Sequence, residues 1–157
     1  AYWDGRQFIS RQGNLYHAPD WFVEGLPAEP LDGELWIGRK AFQRTVSIVR
    51  RQDKTDLWKE LKFLVFDAPG HGGPFEERMA HLLAELHKWN SKFTSILDHS
   101  ICKGVDQLRE ELKRVEALGG EGDGRLPRGH AAHLVRAGPG ELLGGAACTR
   151  QPVAGSQ

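Results

Sequence analysis

Positions 123–157 contain no lysine and no aromatic residue, and the whole 157-residue chain has two cysteines, one methionine and two tyrosines. Cys102 and Cys148 stand too far apart to suggest a disulfide framework or a zinc-ligand spacing, so the sequence reads as that of a reducing compartment. No apolar run approaches the length of a membrane span, and the first residues lack the pattern of a signal peptide. No membrane partner is expected; the compartment itself is not given by the sequence, and an intracellular location, cytoplasmic or nuclear, is the expectation. Neither sign of charge is in excess, with 21 Lys and Arg against 21 Asp and Glu. Bulk charge therefore gives no footprint of a nucleic-acid binder, although a local basic groove stays open because net charge averages over faces. The length suits one domain with a real core. The chain opens on Ala1-Tyr2-Trp3, already strand-like, as the middle of a domain would.

The stretch that organises the chain is Leu31-Asp32-Gly33-Glu34-Leu35-Trp36-Ile37-Gly38. Its bulky apolar residues predict a strand, and Gly33 reads as a point of close ligand approach beside Glu34. A carboxylate on a rigid strand can offer a hard ligand to Mg²⁺ or meet a ribose hydroxyl. Taken alone, an Asp-Gly pair is also an ordinary turn former. Upstream, Asp4-Gly5 between Ala1-Tyr2-Trp3 and Gln7-Phe8-Ile9 predicts a hairpin. The following loop carries Arg11, suited to bidentate phosphate binding. Asp20 reads as the cap of a short turn. Phe42, Val46 and Val49 fall at helical spacing. The near-continuous apolar run Leu61-Lys62-Phe63-Leu64-Val65-Phe66 predicts a buried strand that ends at Pro69. Pro74 opens a helix with Glu76 and Glu77 in its first turn and Phe75, Met79, Leu82, Leu83 and Leu86 as its buried stripe. His81 and His87 lie off that stripe and are given no catalytic role. A strand over 94–102 and a helix marked by Val105, Leu108, Leu112 and Val115 complete an α+β domain, with Gly119-Gly120 as the helix cap and Glu110 paired to Arg114.

Beyond Gly122 no period of two or 3.6 persists, and Gly, Ala, Pro and Arg dominate. A segment so poor in apolar bulk is expected to stay disordered. The abruptness of the change motivates the hypothesis of a shifted reading frame or a misjoined exon. One continuous, supported transcript through Gly122 would sink it.

In this order, the motifs over 1–122 resemble the nucleotidyltransferase domain of ATP-dependent DNA ligases, in particular the small bacterial type. Leu31-Asp32-Gly33-Glu34-Leu35-Trp36 is similar to the family's Asp-Gly-Glu motif, followed by Phe42-Gln43 and Ser47. Phe63-Leu64-Val65-Phe66-Asp67-Ala68-Pro69 resembles the strand whose last aromatic stacks on adenine. Ser10-Arg11 matches the phosphate-binding arginine loop, and Gly119-Gly120-Glu121-Gly122 the start of a second glutamate motif. The resemblance implies a partial nucleotidyltransferase (ATP-grasp-like) ligase core of mixed and antiparallel sheets with flanking helices over 1–122, and a disordered tail over 123–157. It implies ATP and Mg²⁺ as cofactors, with Arg11, Glu34 and Phe66 on the nucleotide and Glu34 and Glu121 on the metal. It further implies nicked duplex DNA as partner, a monomer, and nick sealing through enzyme-adenylate and DNA-adenylate intermediates in repair, replication and recombination.

Two departures qualify these implications. The family's Lys-x-Asp-Gly-x-Arg motif, whose lysine is the nucleophile, would stand immediately before Ala1, and Lys40, Lys54, Lys59 and Lys62 have no Asp-Gly neighbours to replace it. The apolar strand, the lysine pair and the oligonucleotide-binding barrel that follow the second glutamate in the family are also missing. The chain as given is therefore expected to be inactive. An RNA ligase, an mRNA-capping nucleotidyltransferase, or a non-catalytic nucleic-acid-binding remnant using Arg39, Lys40, Arg44, Arg50 and Arg51 are the alternatives.

Overall fold

The computed structural model describes residues 1–101, 104–117, 132–136 and 142–148. The chain divides into two compact units, Ala1–Ile96 and Leu97–Gln157. In the first, β1 (Tyr2–Trp3), β2 (Phe8–Ile9), β3 (Leu15–Tyr16), β4 (Leu31–Trp36), β5 (Lys62–Asp67) and β6 (Thr94–Ile96) form a sheet of order β3-β2-β1-β4-β5-β6. Its pairs are antiparallel except β5 with β6, which run parallel, Phe63 opposite Thr94. That one parallel pair requires a crossover, supplied by α3 (Phe75–Glu85) and a short 3-10 turn at Leu86–Lys88. Two further helices, α1 (Asp20–Val23) and α2 (Phe42–Val49), and a 3-10 turn at Asp56–Glu60 complete the unit.

The predicted hairpin is present. Tyr2 pairs with Ile9 and Trp3 with Phe8, and Gly5 supplies the positive φ of +96°. The Asp4 carboxylate stabilises the turn by accepting from the N–H groups of Arg6 and Gln7, both at 2.8 Å. Behind the sheet, Phe8 sits among Trp3, Phe22, Trp58 and Phe63 with ring centroids 4.8 to 6.3 Å away. All five rings are buried, so aromatic packing organises this core.

Several local expectations are corrected. Asp20 caps nothing: it is the first residue of α1, whose N-cap is Pro19 without a side-chain bond, and its carboxylate pairs instead with Lys54 at 2.5 Å. Phe42 starts α2 but is 67% exposed, and Ile48 and Val49 carry that helix's burial. On α3, Phe75, Met79 and Leu82 are buried while Leu83 is exposed, because Leu83 lies a full 100° around the helix from Leu82. The strand expected over 94–102 is broken at Leu97 into β6 and β7 (Asp98–Ile101).

The second unit contains α4 (Val105–Ala117) and a three-stranded antiparallel sheet of β7, β8 (Ala132–Arg136) and β9 (Leu142–Cys148). His99 pairs with Val135, and Ala132 with Cys148. The described residues beyond Gly122 are those of β8 and β9. Their backbone is satisfied by ladders to β7 and to each other, a non-local gain that composition does not reveal. On α4, Arg114 pairs with Glu111 at 3.3 Å rather than with Glu110. Cys102, Gly119-Gly120 and Glu121 lie outside the described residues.

Candidate functional site

Strand alternation divides the side chains of β4. Leu31, Gly33 and Leu35 are buried, while Asp32, Glu34 and Trp36 lie on the other face. Gly33 is required by packing rather than by ligand approach. A Cβ there would lie 2.6 Å from the Phe63 ring and 2.5 Å from the carbonyl oxygen of Leu64. The start of the chain lies alongside this point. The Ala1 nitrogen donates to the Gly33 carbonyl at 2.6 Å, and the Gly33 N–H donates back to the Ala1 carbonyl at 3.0 Å.

On β5 the ladder is irregular at the same place. Gly33 pairs with Val65 but Asp32 pairs with Asp67, so Phe66 is the extra residue of a bulge. Bulges re-aim side chains and are frequent beside active sites. Leu64 and Asp67, the ladder partners of Glu34 and Asp32, flank half-buried Phe66 on β5. Asp67 is paired. Its two oxygens accept from Arg78 Nε at 2.6 Å and Nη2 at 3.0 Å, an ion pair only 20% exposed on each side. That bond raises the Arg78 pKa.

The Arg11 loop is built by Ser10. Its hydroxyl accepts from the N–H groups of Gln12 at 3.3 Å and Asn14 at 2.9 Å, and Gly13 turns the chain at φ +84°. Arg11 stands exposed on that loop, close enough to lower the Asp32 pKa and that of the Ala1 ammonium. Burial is the first cause of shift at each of the three other charges. It pushes the Asp32 carboxyl up, with help from Asp67 and against Ala1, the Gly33 N–H and Arg11. It pushes Glu34 up against the pull of the Ala1 ammonium. It pushes the Ala1 ammonium down, opposed by Asp32 and Glu34. Glu34 is nonetheless open to solvent at its tip. The surrounding sheet withdraws bulk water from the carboxyl without covering it.

Glu34 and Arg11 thus both lie within electrostatic reach of the Ala1 nitrogen, and Phe66 lies on the neighbouring strand at the bulge. Glu121 lies outside the described residues. Asp32 and Arg78 were missed as site-shaping groups. Asp32 was hidden as a turn former, and the Asp67–Arg78 pair spans 11 residues between a strand and a helix, beyond any local period. His81, given no role, bonds Glu29 at 2.8 Å and stacks on His71 at 4.1 Å. Among the described residues no group of three or more His, Cys, Asp or Glu side chains is placed to hold a metal unaided, and no helix is long and apolar enough to cross a membrane.

No protein-family model matches the chain. It is 36% identical over 122 residues to a DNA ligase of Haemophilus influenzae, a match that covers 78% of this chain and 45% of that protein. It also superposes with a TM-score of 0.71, at 27% identity, on a solved structure from a structure–function study of Lig E DNA ligases that concerns DNA binding with a minimal scaffold. That superposition covers 90% of this chain and 52% of the solved one. The chain therefore spans about half the length of the ligases it matches.

Proposed function

The chain is a relative of the DNA ligases over part of their length, and on that premise we propose that the Asp32–Glu34 face is the nucleotide site of an ATP-dependent polynucleotide ligase. One observation carries the reading. Asp32, Glu34 and Arg11 all act electrostatically on the Ala1 nitrogen, and the bulge at Phe66 stands on β5 beside the partner of Asp32. In this family the Lys-x-Asp-Gly-x-Arg segment immediately precedes the position of Ala1, so a lysine carried there would begin beside the same carboxylates. Phe66 offers an adenine-stacking surface, Arg11 a fork for phosphate, and Glu34 a ribose or metal ligand.

Mg²⁺ fits the donor set. Two carboxylates on one face supply hard oxygen ligands, and their raised pKa values mark a place where an added cation relieves desolvated negative charge. When bound, the ion would neutralise phosphate charge. With only two such side chains from β4, its remaining ligands would come from phosphate oxygens and water. Glu121 is proposed as a second metal-side carboxylate. The complete protein is proposed to seal nicks in duplex DNA, as a monomer, in repair, replication and recombination. The 157-residue chain alone, without the lysine motif, is expected to bind nucleotide but to form no covalent adenylate.

Of the five basic groups that the non-catalytic DNA-binding alternative would use, two already have carboxylate partners: Arg44 is held by Glu60 at 2.5 and 3.0 Å, and Arg51 by Asp53 at 2.8 and 2.9 Å. The deciding experiment adds Lys-x-Asp-Gly-x-Arg before Ala1 and incubates both proteins with labelled ATP and Mg²⁺. Label retained on the extended protein alone supports the reading. Label on neither, with salt-dependent binding to nicked duplex, would favour the remnant.

A further inference from the structure

Arg78 is held on three sides. Its fork lies on Asp67, its Nη1 donates to the Gly73 carbonyl at 2.9 Å, and its guanidinium stands 5.7 Å from the centre of the Phe75 ring. Asp67 is fixed in turn, since its Oδ1 also accepts from the Ala68 N–H at 2.8 Å. The buried stripe Phe75, Met79 and Leu82 seats α3, so the guanidinium is delivered from a rigid element.

What this arrangement fixes is the register of β5. From Trp36 back to Gly33 the ladder is regular, and its continuation would set Asp32 opposite Phe66. Asp32 instead faces Asp67. Two carboxylates directly opposite on neighbouring strands repel, and an isolated Asp67 would have every reason to leave that position. The Arg78 fork weakens the conflict by pairing Asp67 in place, although Asp67 still raises the Asp32 pKa. The carboxylate at the edge of the bulge is thus held by a residue of α3 rather than by a neighbour on the strand.

We propose that Arg78 is a positioning residue for base recognition: by clamping Asp67 it holds the bulge that aims Phe66 across the Asp32–Glu34 face. The proposal rests on the nucleotide-site reading above and adds to it the group that sets the stacking surface.

The test is calorimetric titration of the 157-residue chain with ATP and, separately, with tripolyphosphate, which lacks base and ribose, both with Mg²⁺. Wild type, Phe66→Ala, Arg78→Met and the double variant are compared. Arg78→Met and Phe66→Ala should each lose about tenfold in ATP affinity, the size of one base–aromatic stack. Tripolyphosphate affinity should stay within about twofold of wild type, since stacking takes no part in it. The double variant should be no weaker than either single one, because both remove the same interaction. Losses that add, or that fall equally on the two ligands, would mean that Arg78 supports the fold in general, and would overturn the proposal. Arg78→Lys, which keeps the charge but not the fork, gives the same comparison if Arg78→Met does not fold. A wild-type chain that binds no ATP overturns the nucleotide reading and this inference with it. ATP binding that keeps its preference over tripolyphosphate in Arg78→Met overturns this inference alone.

Discussion

The ring of Phe63 occupies the space that a side chain at residue 33 would need, 2.6 Å from the position of the missing Cβ. The glycine beside Glu34 is thus fixed from the core side of the sheet, and the face that carries the carboxylates inherits its geometry from that contact. Gly33→Ala should destabilise the chain by about 2 kcal/mol, within the usual range for overpacking. The colliding Leu64 carbonyl is backbone and cannot swing aside. Urea unfolding monitored by tryptophan fluorescence would measure the loss, and a midpoint equal to wild type would contradict the packing argument.

Adjacent leucines on α3 should behave oppositely. Leu82 is fully buried and Leu83 is 59% exposed. Leu82→Ala is expected to cost about 3 kcal/mol, and Leu83→Gln to stay within about 0.5 kcal/mol of wild type. Thermal melting of the two variants reads the rotation of the helix directly, and equal losses would place its buried stripe elsewhere.

The raised carboxyls make a signed pH prediction. A native carboxyl with a pKa above its unfolded value binds its proton more tightly when folded, so its contribution is fully present below the unfolded carboxylate pKa of about 4 and is lost as pH rises through the native value. Burial raises Glu34 in this sense. Glu34→Gln, which cannot ionise, should melt higher than wild type at neutral pH and converge with it near about pH 4. Mg²⁺ should raise the melting temperature of wild type more than that of Glu34→Gln. A Tm difference independent of pH would assign the effect to something other than ionisation.

Charge on the two arginine-bearing segments should not be equivalent. Arg11 stands exposed on a loop shaped by Ser10, whereas Arg44 is engaged by Glu60. Arg11→Ala is expected to weaken ATP binding about tenfold, as for a lost charge-assisted phosphate contact. Arg44→Gln should leave it within about twofold, because its donors are already occupied. Titration of both variants separates the two, and a larger effect at Arg44 would move the phosphate site to α2.

Elements with a strong local period were legible in the sequence. The β1–β2 hairpin followed from Asp4-Gly5, β5 from its apolar run, and α3 from Pro74 with two glutamates behind it. Arg11, Glu34 and Phe66 are singled out by the resemblance to ligases and by no local period. What escaped was non-local. The bulge at Phe66 exists only as a mismatch between two strands, and Arg78 matters only because Asp67 lies under it. The role of Gly33 was misread because Phe63, thirty residues downstream, decides it. Strand β9, Leu142–Cys148, carries Gly and Ala that have little strand preference of their own, and β8 and β9 are held by ladders that no local period announces.

β1 is two residues long, yet it lies between β2 and β4. Every ladder bond that joins the β2–β3 hairpin to the rest of the sheet runs through this short segment, and Ala1 and Gly33, which extend it, are 32 residues apart. The hairpin contacts are local and close within microseconds, whereas pairing β1 with β4 closes a much longer loop and costs more chain entropy. The β2–β3 arm is thus expected to come away from the sheet as a unit, with the β1–β4 ladder as its hinge line, before the rest of the unit unfolds.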